Sequence, residues 1–211
     1  MVKDYWPTLY SDPYAVKRIQ KSIQVANLKE GMSVLDVGCH RGELEKFIPL
    51  KIFYYGIDKI LGSEIDGGFQ APQKYDRIFC LEVLEHLVNP EGTIESIKAH
   101  LKDDGLAVIS LPNEATIFHR FRGLLGVMDG ECFSSCGKHL HLPSLKQSRK
   151  FISVHFDIVS EHYYISPEAR GSRQAWIGSF LKLIPSQFLQ TLANMMPSLF
   201  ARGFIFKLKK K

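Results

Sequence analysis

Between Ser33 and Asp58 the chain reads strand, glycine-punctuated turn, helix and strand in about 25 residues, and this unit constrains the fold more than any other feature. "SVLDVG" (33–38) is an apolar, β-rich run, "GELEKFI" (42–48) predicts a helix, and "YYGID" (54–58) is a second strand ending on an acid. The alternation continues through "RIFC" (77–80), a helix across "VLEHLVNPEGTIESIKAHL" broken at Asn89-Pro90, and "GLAVISLP" (105–112), stopped by Pro112. Helices that separate strands predict a doubly wound α/β fold, its sheet mostly parallel and covered on both faces. Two late strands, "HFDIVSEHYYI" (155–165) and "GFIFKLKK" (203–210), flank helical material, and Phe204, Phe206 and Leu208 alternate onto one side. The last strand is read as inserted antiparallel, a pairing that periodicity alone does not supply.

A length of 211 residues suits one sizeable core, hence a single domain. Its expected additions are an N-terminal helical cover over 1–30, a substrate-lid insertion over 113–145 and a helical cover over 174–200. The opening "MVKDYWPTLYSDPY" lacks a signal-peptide layout, and no run of about 18 apolar residues predicts a spanning helix. The expectation is a cytoplasmic protein whose four cysteines, Cys39 and Cys80 among them, are reduced thiols. The net charge of +5 points weakly to a polyanion, because Lys207, Lys209, Lys210 and Lys211 supply most of it. The remaining body is nearly neutral.

Ligands of open α/β sheets bind beyond the carboxyl ends of the strands. That places Asp36 to Gly42, Asp58, Cys80 to His86, and Pro112 to Asn113 around one crevice. A dinucleotide fingerprint would need glycines where His40 and Glu43 stand, and no Gly-Lys-Ser/Thr triplet follows Gly38 or Gly42. Asp36 favours a cationic group near the turn, and Asp58 can accept both hydroxyls of a ribose. S-adenosylmethionine meets these demands, since it carries an adenosine, an ammonium and a sulfonium but no phosphate.

"VLDVGCHRG", "YGID", "YDRIFCLEVLEHL" and "LKDDGLAVISLPN", in this order, resemble the class I S-adenosylmethionine-dependent methyltransferases, in the broad group with a "VLEH" signature. The resemblance implies a Rossmann-like sheet of seven strands. It also implies that Asp36, Gly38, Cys39 and Gly42 line the methionine moiety, Asp58 takes the ribose, and Asp66 of "EIDGG" lies near the adenine. Leu81 and Glu82 fall on the cofactor's other side. The family turn has glycine where this chain has His40, so either that side chain points away from the cofactor or the turn opens slightly. Only 17 residues separate Asp58 from Asp76, so the second crossover helix is expected to be missing and the adenine side more open.

Glu82, Glu85 and His86 stand at i, i+3 and i+4 and would share one face of a helix starting there. Such a group can remove a proton or hold a metal, and His86 is the best-placed base for a hydroxyl or amine acceptor. Ubiquinone-biosynthesis O-methyltransferases and small-RNA 2′-O-methyltransferases hold a divalent cation with a Glu-x-x-Glu-His motif, the RNA enzymes adding a downstream histidine. By that resemblance the metal set is Glu82, Glu85, His86 and His141, with His139 beside the last. The alternatives are a metal-free base at His86 and a capping role for Glu85 and His86. Cys132, Cys136, His139 and His141 also offer zinc ligand types, but at a cramped spacing that favours ordinary thiols.

In "TIFHRFRGLLGVM", Ile117, Phe118, Phe121, Leu124, Leu125 and Met128 recur at helical spacing, with His119, Arg120 and Arg122 elsewhere around the helix. This is either a lid packed on the domain or a surface for an amphiphilic acceptor or lipid headgroups, which keeps peripheral membrane contact open. The reading is methyl transfer to an oxygen of a small or lipid-like acceptor. RNA 2′-O-ribose methylation is the rival enzyme, disfavoured with nucleic acid generally by the nearly neutral body. A cofactor-binding module without catalysis is the rival of a different class.

Overall fold

The computed structural model describes residues 13–49, 51–126, 139–165 and 185–211. Six strands form one sheet among them: β1 (Ser33–Val37), β2 (Phe53–Ile57), β3 (Tyr75–Leu81), β4 (Leu101–Pro112), β5 (Phe156–Tyr164) and β6 (Gly203–Lys210). Their order is β2-β1-β3-β4-β6-β5. The first four run parallel, and β6 lies antiparallel between β4 and β5. Every strand segment read from the residues is present, and the last is antiparallel as expected. The count of seven is corrected to six among the described residues. The missing strand belongs to the stretch after Asp58, which makes one 3-10 turn (Lys59–Leu61) and then a loop. Gly62, Gly67 and Gly68 all have positive φ there, so the chain turns back on itself rather than extending. That loop instead sends Ile65 and Phe69 into the core. The second crossover helix is absent, as expected, and β2 is an edge of the sheet.

The first crossover departs from expectation as well. "GELEKFI" forms turns and a short 3-10 segment (Glu45–Phe47), not an α-helix. Only seven residues run from Gly42 to Ile48 before Pro49, and proline disfavours helical backbone in the residue before it. Fewer than two turns fit, and the tighter helix is used in such short pieces. Leu44 still buries its side chain beneath the sheet.

Alternating residues of the central strands supply two packed faces. Val34, Phe79, Val108 and Ile205 meet Ile19, Val25 and Ala26 of helix α1 (Pro13–Ala26) on one side. Leu35, Ile78, Ala107, Ile109 and Phe206 meet Ile94 and Ile97 of α2 (Pro90–His100) and Ile152 of α4 (Leu145–His155) on the other. Each fully buried side chain of this kind stabilises the fold by about 1.5–3 kcal/mol. The buried Arg77 fastens α1 to the sheet, its Nε donating to the Ala26 carbonyl at 2.7 Å. Helix α2 begins where Asn89 accepts from the Gly92 N–H at 3.1 Å, with Pro90 in its first turn.

Between α2 and α4, helix α3 (Ile117–Leu124) leaves the carboxyl end of β4, capped by Thr116. Asn113 anchors that exit, donating from Nδ2 to the Ala201 carbonyl at 2.7 Å. Two short helices, Ser186–Met195 and Pro197–Phe200, precede β6. Met128, Cys132, Cys136 and residues 174–184 of the expected cover lie outside the described residues. Among the described residues no helix is long and apolar enough to cross a membrane.

Candidate active site

The turn after β1 closes by backbone contacts with β2. The N–H groups of Gly38 and Cys39 both donate to the Ile57 carbonyl, at 2.8 and 3.2 Å, and Gly42 donates to Cys39 at 2.9 Å. Gly38 (φ 75°), His40 (φ 50°) and Gly42 (φ 72°) all adopt left-handed backbone. A Cβ on Gly38 would stand 2.3 Å from a Val83 methyl carbon, so only glycine lets the turn approach the β3 exit. His40 takes the conformation a glycine would, at a cost of about 1–2 kcal/mol. Its amide donates to Asp58 Oδ2 at 2.8 Å. Its Nδ1 lies 3.8 Å from Glu43 Oε1, which sets the imidazole toward Glu43. The other oxygen of Asp58 accepts from the Ile60 amide at 2.9 Å. Each oxygen keeps a second lone pair for a ribose hydroxyl.

Asp36 is buried in mid-strand and accepts from the Tyr54 hydroxyl at 2.8 Å. Burial pushes its carboxyl up to about 7 against the Tyr54 hydrogen bond, and the charges of Asp58 and Glu43 add to the rise. Cys39 is likewise pushed up to about 12, by burial and then by Asp36 and Asp58, and is a thiol rather than a nucleophile. A buried carboxyl with no cationic side chain paired to it among the described residues, beside a backbone turn and a strand-end aspartate, fits the ammonium and ribose of S-adenosylmethionine. What the structure shows for Asp66 is a brace: its two oxygens accept from the Val88 and Asn89 amides at 2.9 and 2.8 Å.

Leu81 ends β3, and the chain then breaks direction at Glu82, whose φ is 57°. No helix starts there; the next regular element is a 3-10 turn over Leu84–His86. The expected shared face is therefore corrected. The Glu82 carboxylate turns toward α1 and the far strands, accepting from Tyr164 at 3.1 Å and Ser110 at 3.3 Å, with Arg18 Nη1 at 3.5 Å. His141 is also drawn elsewhere, its Nε2 donating to the Leu87 carbonyl at 2.9 Å.

What converges is Glu85, His86 and His139, whose ligand atoms all lie within 4.8 Å of one another. Glu85 is 1% exposed, and among the described residues neither carboxylate oxygen has a hydrogen-bond partner. Its carbonyl accepts from Leu140 and His141 at 2.7 and 3.1 Å, which brings the His139 loop over it. Burial pushes the Glu85 carboxyl well above the usual range, the charges of Glu82 and Glu114 adding to it. His86 Nε2 stands 3.9 Å from Glu85 Oε1, and the His86 and His139 rings meet edge to face, centroids 4.8 Å apart. One carboxylate and two imidazoles form a donor set suited to a divalent cation with open positions.

Sequence reasoning missed Glu114, which follows the carboxyl end of β4 in "LPNEA". Its Oε1 accepts from His139 Nδ1 at 2.8 Å, and its Oε2 lies 3.7 Å from His119 Nε2 of α3. The His139 contact holds Glu114 below its ordinary range despite burial. The only available signal was its place at a strand end, because the partner is brought in by a distant loop.

Around this site α3 presents Ile117, Phe121, Leu124 and Leu125 as exposed apolar groups, with Leu140 and Leu142 exposed beside the histidine loop. Arg120 Nε donates to the Ala115 carbonyl at 2.8 Å.

Comparison with known proteins places this geometry. A family model described as a methyltransferase domain matches residues 13–162. A ubiquinone biosynthesis O-methyltransferase from Glaesserella parasuis is 54% identical over 109 residues, covering 39% of this chain and 46% of the relative. An (S)-coclaurine N-methyltransferase from Papaver somniferum is 24% identical over 134 residues, covering 52% of this chain and 38% of the relative. The chain thus spans less than half the length of these two curated relatives. In fold it is similar to an N-methyltransferase from Bradyrhizobium japonicum solved with S-adenosyl-L-homocysteine. That likeness has a TM-score of 0.56 at 11% identity, over 96% of this chain and 90% of the other. With most of its length inside the family model, and a glycine turn heading a doubly wound sheet, the chain belongs to the class I S-adenosylmethionine-dependent methyltransferases.

Proposed function

We propose that the chain methylates an oxygen of a small amphiphilic acceptor, with Glu85, His86 and His139 holding a divalent cation where that oxygen reacts. The observation that carries this reading is Glu85, a buried carboxylate beside two imidazoles whose two oxygens have no hydrogen-bond partner among the described residues. A buried polar group without a partner is costly, and a cation beside the two imidazoles would satisfy the Glu85 carboxylate. The resemblance to ubiquinone biosynthesis O-methyltransferases supports oxygen as the methylated atom.

When bound, S-adenosylmethionine supplies an electrophilic methyl on a sulfonium. The residues of this chain do the rest. The 38–42 backbone and Asp58 orient the nucleoside side, and Asp36 favours the ammonium once its own proton has left. Alignment of the acceptor with the methyl supplies much of the acceleration. A divalent cation held by the three side chains would acidify an acceptor hydroxyl. The exposed apolar residues of α3 and of the 140–142 loop support an acceptor with a hydrocarbon part, and they border the same site.

The test is transfer of label from methyl-labelled S-adenosylmethionine into an amphiphile extract by the full chain. Chelator should abolish transfer, and added manganese or magnesium should restore it. Calorimetry with S-adenosyl-L-homocysteine should find nearly the same affinity with and without chelator. Transfer that ignores chelator would eliminate the cation and leave His86 as a simple base.

A further inference from the structure

Among the described residues, Glu114 ties the cluster of Glu85, His86 and His139 to the acceptor-side helix. Glu114 lies between them, with Oε1 at 2.8 Å from His139 Nδ1 and Oε2 at 3.7 Å from His119 Nε2 on α3. His119 Nδ1 in turn sits 2.9 Å from the hydroxyl of Thr116, which caps α3. A carboxylate can only accept, so the proton in the Glu114–His139 contact belongs to Nδ1. The other nitrogen of a neutral imidazole is then a bare acceptor.

We propose that Glu114 is a positioning residue that fixes His139 as the Nδ1–H tautomer and presents its bare Nε2 to His86 and Glu85. The proposal rests on the reading of that cluster as the reacting site. Without Glu114 the imidazole is free to take the Nε2–H form that unconstrained histidine prefers, and the cluster loses a lone pair. A carboxylate behind a ligating histidine also raises its basicity and fixes its ring, and loss of such a partner typically weakens metal binding or activity by about 10–100-fold. Because Glu114 also faces His119 of α3, a shift of that helix can reach His139 through the Glu114 side chain.

Nitrogen-15 imidazole spectra of the full chain, recorded at mildly alkaline pH, test the tautomer directly. The wild type should show His139 protonated at Nδ1 and bare at Nε2. Glu114→Ala should move the proton to Nε2, and Glu114→Gln, whose amide can either donate or accept, should give a mixture. Co²⁺ titration followed by visible absorption should show about 10–100-fold weaker binding in Glu114→Ala. Should the alanine variant fail to fold, the glutamine variant carries both measurements. A wild-type His139 bare at Nδ1, or a tautomer unchanged in both variants, overturns the proposal. Absence of Co²⁺ binding in a wild type that shows the expected tautomer supports the positioning role and removes the cation reading instead.

Discussion

Asp36 shows how one position in the sequence carries both a folding cost and a ligand preference. Its carboxyl sits in mid-strand on the α1 face with the Tyr54 hydroxyl as partner, and burial raises it to about 7 from an ordinary value of 3.8. Between those values the folded chain keeps a proton that the unfolded chain has released. The Asp36 contribution to stability is therefore fully present below about pH 4 and lost as pH rises to about 7. The expected loss is of order 4 kcal/mol at most. Asp36→Asn should flatten this dependence in urea unfolding measured across that window, and should be the more stable protein at mildly alkaline pH. The same variant should bind S-adenosyl-L-homocysteine more weakly, having lost the anion that favours the ammonium. Equal slopes for mutant and wild type would show that Asp36 is ionised throughout. The placement of Asp36, Gly38, Gly42 and Asp58 around one turn was legible in the sequence, because backbone geometry at a strand-to-turn junction fixes it. The choice of His139 over His141 was not legible, since it depends on which carbonyl of the 85–87 turn the loop meets.

At the scale of elements, the junction after β3 differs most from what spacing alone implied. Three residues at i, i+3 and i+4 share a face only if a helix begins at the first, and the left-handed backbone of Glu82 prevents that. The Glu82 carboxylate instead joins α1, β4 and β5 through Arg18, Ser110 and Tyr164. Both side chains of the Arg18–Glu82 pair are largely buried, at 8% and 14% exposure. Removing one member of such a buried pair costs up to about 3–5 kcal/mol. Glu82→Gln should accordingly lower Tm by several degrees while leaving Co²⁺ affinity unchanged. A Glu82→Gln protein of wild-type Tm that no longer binds the cation would return Glu82 to the ligand set. The crossover between β1 and β2 carries the same lesson in another form. "GELEKFI" has helical composition, but too few residues precede Pro49 for an α-helix, so connection length overrode propensity.

The whole molecule separates its chemistry from most of its excess charge. All four parallel strands point their carboxyl ends at the cofactor turn, Asp58, the Glu85 cluster and the start of α3, and this polarity was readable from the strand-helix alternation. The place of β6 was not, because alternation of Phe204, Phe206 and Leu208 identifies a strand without naming its neighbours. That placement has a consequence for lipid contact. β6 enters beside Pro112 at Gly203 and runs away from the site, so Lys209, Lys210 and Lys211 lie at the opposite end of the sheet, about 20–25 Å distant along the strand. Lys210 is paired with Asp103, and Lys211 donates to the Ser153 carbonyl. The apolar residues of α3 and the basic end of β6 cannot therefore serve one small headgroup together. Phe121 and Leu125 are 59% and 61% exposed, so Phe121→Asp and Leu125→Asp should change stability by no more than about 0.5 kcal/mol. If an amphiphile enters beneath α3, both variants should lose vesicle association and transfer to an amphiphilic acceptor. The triple change of Lys209, Lys210 and Lys211 to Gln should leave both intact and reduce only the salt-sensitive part of binding to anionic vesicles. Flotation with neutral and anionic vesicles, combined with thermal melting, separates the two surfaces. Full association of both α3 variants with neutral vesicles, or a fall in their Tm to match any loss of binding, would assign α3 to permanent packing and end its role in acceptor entry.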